Sequence, residues 1–142
     1  MLRIGTLGTG GIIKKHIGAL AESSDAEIVA LCDVNPEAIE TAKETYFQGK
    51  SVGGYTDPEE MFANENLDAV IIATPHTLHY GHAVQALEGG CHVFLEKPMT
   101  TSSKDAYQLA DKAKEADKVV AVGFNTASKQ VFQYLREQIR NK

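Results

Sequence analysis

No apolar run in this sequence approaches the ~18 residues that a membrane-spanning helix requires. The amino terminus also leaves no room for a charged stretch followed by an apolar leader core, because a strand-like pattern begins at Leu2. Neither a membrane protein nor a secreted one is expected, and a cytoplasmic location is. Cysteine is scarce as well. Cys32 and Cys91 lie far apart at the ends of apolar segments and form no CxxC pair, so both read as reduced thiols packed in the interior. Basic residues number 14 against 19 acidic ones, for a net charge of -5. That balance argues against nucleic acid or an anionic membrane as a partner. Internal repeats, low-complexity tracts and flexible linkers are missing before residue 124. A chain of 142 residues holds one domain with a real core but not two. The ligand these exclusions leave is a small molecule.

What is present is an alternation of short apolar runs with amphipathic stretches. Strands are expected at Ile4 to Leu7, Ile28 to Cys32, Ala69 to Ala73, His92 to Leu95 and Val119 to Gly123, with a weaker one from Ser51 to Tyr55. Such runs, separated by helical patterns, are the signature of a parallel sheet buried on both faces. The helices carry start signals. Asn35-Pro36 and Asp57-Pro58 each place a capping side chain before a proline at the first helical position, and Ser102 with Asp105 forms a capping box. From Ser128 to Arg140 a last helical pattern presents Val131, Phe132, Leu135 and Ile139 on one face.

The loop Gly8-Thr9-Gly10-Gly11-Ile12-Ile13 follows the first strand and opens the first helix. An anion bound at a helix start needs free backbone N–H groups and no side chain in its path, and Gly8 and Gly10 supply both. Ile13 stands where a third glycine or alanine usually allows the helix to pack closely on the strand. Asp33 ends the second strand 25 residues after Gly8, where a carboxylate accepts hydrogen bonds from ribose hydroxyls. No arginine accompanies it, so NAD is expected as cofactor ahead of NADP. The expected architecture is an α/β three-layer Rossmann fold, with a doubly wound parallel sheet in the order 3-2-1-4-5-6.

With Cys32-Asp33-Val34-Asn35-Pro36, Ala73-Thr74-Pro75-His76 and Glu96-Lys97-Pro98 on successive strand ends, the chain resembles the Gfo/Idh/MocA oxidoreductases. The segment Gly89 to Pro98 is the most specific part of that resemblance. It implies a dinucleotide-binding domain over residues 1–125 and, over 126–142, a helix leading toward a substrate domain that this chain does not contain. It further implies an NAD-dependent hydride transfer at a hydroxyl of a sugar, polyol or related compound, in a protein that forms homo-oligomers. Lys97 is the implied catalytic residue, placed to hydrogen-bond the substrate oxygen. The peptide bond before Pro98 is often cis in such proteins. The implied cofactor contacts comprise Gly8, Thr9, Gly10, Gly11, Ile12, Asp33, Thr74, Pro75, His76, His79, Glu96, Lys97 and Asn125. Ala127 departs from the basic or aromatic residue that relatives carry there. The remaining acid–base residues of such proteins come from the second domain, so this chain is expected to bind dinucleotide with little turnover.

His76, His79 and His82 invite a metal reading, but three-residue steps on a helix drift by about 60° each, so the outer two diverge. No metal site is expected. Two other functions remain in view. A non-catalytic dinucleotide sensor would share the glycine loop and Asp33 but would not need Lys97. An S-adenosylmethionine-dependent methyltransferase would share them too, yet has no use for Glu96-Lys97-Pro98.

Overall fold

The computed structural model describes residues 1–21, 23–124 and 130–140. Six parallel strands form one sheet in the order β3-β2-β1-β4-β5-β6: β1 (Leu2–Leu7), β2 (Ala26–Cys32), β3 (Gly53–Tyr55), β4 (Ala69–Ile72), β5 (His92–Leu95) and β6 (Val120–Val122). The helices are α1 (Ile13–Ala21), α2 (Pro36–Tyr46), α3 (Pro58–Asn64), α4 (His79–Glu88), α5 (Ser103–Glu115) and α6 (Gln130–Arg140). The expected strand order holds. β1 and β2 start two residues earlier than their apolar runs, and the weak edge strand shrinks to three residues. An edge strand has a neighbour on one side only, so fewer of its residues enter the ladder.

Two faces, two cores. Ile4, Ile28, Leu31 and Ile71 pack with Ile13 and Ile17 of α1 and Ile39 and Ala42 of α2. Leu7, Cys32, Ile72 and Leu95 pack instead with Met61, Ala83, Leu87 and Leu109, from α3, α4 and α5. The side-chain alternation along β2 is shifted by an irregularity between Ile4 and Gly5, where the register skips Val29. That extra residue puts Ile28 and Leu31 on one face and Ala30 and Cys32 on the other.

Register also sets where the chain leaves the sheet. Tyr55, Cys32, Leu7, Ile72, Leu95 and Val122 lie in one row across all six strands, each the last residue of its strand. Asp33, Gly8, Ala73, Glu96 and Gly123 therefore emerge side by side at one edge. Residues scattered from position 8 to position 123 of the sequence become neighbours through this alignment.

The capping signals take their expected form. Asn35 accepts from the Glu37 N–H at 3.0 Å, Asp57 from Glu59 at 2.9 Å and Ser102 from Asp105 at 3.1 Å, each worth about 1 kcal/mol. α1 differs, for it begins at the glycine loop and has no acidic residue in its first turn. On α6, Phe132, Tyr134 and Ile139 are exposed, and the side chains of Val131 and Leu135 lie outside the described residues. Among the described residues no helix is long and apolar enough to cross a membrane.

Ile13 resolves the irregular glycine motif. It is fully buried at the first position of α1, among Ile4, Ile17, Ile28 and Leu31, so the helix rests on an aliphatic side chain where glycine would bring backbones together. Ile13→Ala should lower the unfolding free energy by about 2–4 kcal/mol, read from urea denaturation followed by circular dichroism.

Candidate functional site

The glycine loop sits where β1 and β4 part. Gly8 has φ +93°, and a Cβ on it would stand 2.7 Å from the carbonyl oxygen of Ala73, closer than carbon and oxygen pack. Glycine is required at position 8 on both grounds. Gly10 and Gly11 are exposed, and a Cβ on either would meet nothing within 4 Å. The space above them is open. The start of α1 thus offers the positive end of its dipole and an unobstructed approach, which suits a phosphate.

Asp33 is held in place beside this loop. Its Oδ2 accepts from the Thr9 backbone N–H at 2.8 Å and from the Thr9 hydroxyl at 2.9 Å, and Oδ1 accepts from Asn35 N–H at 3.0 Å. Burial acts to raise its pKa, but these three donors outweigh it and hold the carboxyl below the ordinary 3.8. A carboxylate accepts about four hydrogen bonds, which leaves one position open on Oδ1. Next to it lies a cleft of about 300 Å³, lined by Gly8, Gly10, Asp33 and Val34 on one side and by Thr74, Pro75, Leu78 and His82 on the other. Cys32 also lines it, and its thiol is pushed up to about 12 by burial and then by Asp33, Asp57 and Glu60. Both cysteines are free and buried.

The loops after β4 and β5 are tied together by α4. His79 is fully buried; its Nδ1 lies 2.8 Å from the Pro98 carbonyl oxygen and its Nε2 3.0 Å from that of Thr74. Both partners only accept, so the ring donates to one as a neutral tautomer and to both as imidazolium. The exposed His76 ring stands edge-on to it at 5.4 Å. His82 bonds Thr74 Oγ1 through Nδ1 at 3.0 Å. The three histidines thus serve different partners, and among the described residues no group of His, Cys, Asp and Glu is arranged to hold a metal ion.

Glu96, Lys97 and Pro98 occupy the end of β5. The Lys97–Pro98 peptide bond is cis. Glu96 is buried, and its Oε1 lies 2.8 Å from His16 Nε2, while Oε2 accepts from the Lys97 backbone N–H at 3.3 Å. The His16 ring packs edge-on to Phe94 at 5.2 Å. Gly123 completes this cluster, since a Cβ there would come within 3.2 Å of the Phe94 ring and 3.5 Å of Glu96 Oε1. The Lys97 side chain is exposed at this edge and its ammonium has no partner among the described residues. Asn125 lies outside the described residues.

His16, Val34, Leu78 and His82 were not assigned to the site from sequence. A signal for His16 existed, because it shares the inward face of α1 with Ile13 and Ile17, where a polar residue needs a partner. The others take their place only from the fold of the cleft.

A model of an oxidoreductase family with an NAD-binding Rossmann fold matches residues 2–124. The chain belongs to the Gfo/Idh/MocA oxidoreductase family. It is 33% identical over 141 residues to D-glucoside 3-dehydrogenase of Escherichia coli, a match covering 99% of this chain and 39% of that protein. It is 30% identical over 140 residues to myo-inositol 2-dehydrogenase of Thermotoga maritima, covering 99% and 41%. Among solved structures it superposes on the WlbA dehydrogenase of Bordetella pertussis, in complex with NADH and UDP-GlcNAcA, with a TM-score of 0.90 and 33% identity, covering 99% and 42%. The chain spans about two-fifths of the length of the relatives it matches. As a Gfo/Idh/MocA Rossmann domain, it carries the family's cofactor-binding half.

Two tests follow from this geometry. Because Asp33 titrates below its ordinary value when folded, it adds stability above 3.8 that is lost as pH falls through the folded value. Asp33→Asn should flatten this part of the stability profile, measured by denaturant unfolding from pH 5 downward. For the buried pair, a cycle of His16→Ala and Glu96→Ala should show a coupling of about 1–3 kcal/mol in unfolding free energy; additive single effects would mean the pair contributes nothing as a unit.

Proposed function

We propose that this chain is the cofactor unit of an NAD-dependent dehydrogenase that oxidises a hydroxyl of a sugar, polyol or related compound. The observation that carries the reading is Asp33, a carboxylate fixed at the edge of the cleft with one acceptor position open beside the glycine loop. The likeness to D-glucoside 3-dehydrogenase and to myo-inositol 2-dehydrogenase supports the substrate class.

The residues fit the dinucleotide. Gly10, Gly11 and Ile12 would present N–H groups to the pyrophosphate, Gly8 and Thr9 have theirs committed to Cys32 and Asp33 and shape the loop instead, and Asp33 would take a ribose hydroxyl. A 2′-phosphate would meet the Asp33 charge, so NADP is disfavoured. Thr74, Pro75 and His76 would line the passage toward the nicotinamide, with His79 fixing that loop and Glu96 fixing the next. When bound, the nicotinamide supplies the hydride acceptor. Lys97 would then hydrogen-bond the substrate oxygen and favour its alkoxide-like form, as an ammonium aimed at developing negative charge does. Asn125 would add a polar group near the substrate. Residues 1–125 make up this unit, and 126–142 lead toward a substrate domain.

We further place the protein in the cytoplasm as a homo-oligomer. The free buried thiols accord with a reducing compartment, and the exposed Phe132, Tyr134 and Ile139 of α6 offer an apolar surface for association.

Parallel titrations with NADH and NADPH, followed by nicotinamide fluorescence, test the reading. NADH should bind at least about tenfold more tightly, a difference of roughly 1.4 kcal/mol, and Asp33→Ala should erase most of that preference. Equal binding of both by the unaltered chain, or no binding, would overturn it.

A further inference from the structure

His82 is left over from the site as described. It sits one turn into α4, projects into the cleft and is half-buried. One ring nitrogen, Nδ1, is engaged by the Thr74 hydroxyl at 3.0 Å. Among the described residues Nε2 has no hydrogen-bond partner. A ring anchored at one nitrogen, with the other facing a ligand cavity, is a preset polar contact in otherwise apolar walls. Burial, and then the neighbouring His79 ring, lower its pKa, so the ring is neutral near pH 7 and carries one donor and one acceptor nitrogen.

The position of the cleft says what meets this nitrogen. The glycine loop is the place for the pyrophosphate and Asp33 for the adenosine ribose. Beyond that ribose the dinucleotide has only its base, and the cleft continues between Val34 and Pro58 on one side and Pro75 and Leu78 on the other. These are walls for a flat aromatic ring. Besides Asp33, the polar side chains lining the cleft are Thr56, Thr74 and His82.

We propose that His82 reads the adenine base, hydrogen-bonding through Nε2 to the edge that carries N1 and the 6-amino group, with the Thr74 hydroxyl fixing the ring. The proposal rests on the NAD-binding reading above. With Nδ1–H donated to the Thr74 hydroxyl, Nε2 is the acceptor nitrogen and takes a hydrogen from the 6-amino group. The bland alternative is that the imidazole is only a wall of the slot.

The probe is 1,N6-etheno-NAD, in which a two-carbon bridge removes the amino donor and blocks N1 while leaving ribose, pyrophosphate and nicotinamide unchanged. Equilibrium binding of NAD and etheno-NAD is measured for the unaltered chain, His82→Leu and His82→Gln. The unaltered chain should prefer NAD by about five- to tenfold, as one hydrogen bond warrants. His82→Leu should lose that preference through weaker NAD binding with etheno-NAD binding unchanged, and His82→Gln should recover part of it. On the unaltered chain alone, the His82 Nε2 resonance in ¹⁵N-edited NMR should move on adding NAD and stay in place on adding etheno-NAD. An equal preference in His82→Leu, a fall for both ligands alike, or a stationary Nε2 resonance would reduce His82 to a wall and overturn the proposal. If NAD binds with the expected dependence on Asp33 while these tests fail, only this inference falls. If NAD does not bind at all, both readings fall together.

Discussion

The approach of Gly8 to the Ala73 carbonyl is the constraint on which the site depends. β1 and β4 are adjacent in the sheet, yet the chain after β1 turns to the face covered by α1 and the chain after β4 turns to the face covered by α4. The two loops diverge from a point where their backbones touch, and the crevice opens there because the connections run in opposite directions. Any side chain at position 8 would push the strands' ends apart. The glycine loop, the Asp33 lock and the cleft all take their spacing from that contact.

On the other side of the crevice, histidines do the holding. His16 reaches from α1 to Glu96 across 80 residues of sequence, and Glu96 in turn receives the Lys97 backbone N–H. His79 spans from α4 to the carbonyls on either side of the crevice's far wall. The loop bearing Lys97 is thus gripped at Glu96 from one face of the sheet and at Pro98 from the other. A buried carboxylate left without partners would be costly, and here both oxygens are engaged. α1 and the Lys97 loop are joined through the His16–Glu96 side-chain pair.

Much of this architecture is legible in local patterns. The apolar runs, the three side-chain caps and the strand order follow from spacing and helix-start chemistry, and the match of Asp33 to the glycine loop follows from their separation in sequence. What stays hidden depends on meetings between distant elements. The partner of His16 lies on β5, and nothing near position 16 names it. The role of Ile13 reads locally as a flaw in a glycine motif; only the packing around it shows an aliphatic bearing for α1. His79 and His82 look like members of one regular series, yet their neighbours are chosen by the loops that fold over them. Val34 and Leu78 become cleft walls only because β2 and β4 end in the same row.

The Asp33 lock has a kinetic consequence. Thr9 and Asn35 tie the carboxylate to the backbone on either side, so the start of the glycine loop and the end of β2 are cross-linked by contacts internal to the protein. The entropy of ordering these stretches is lost during folding and not during encounter. A molecule that meets a loop cross-linked in this way need not order it first, and its association would be set by diffusion and by shedding water from the cleft.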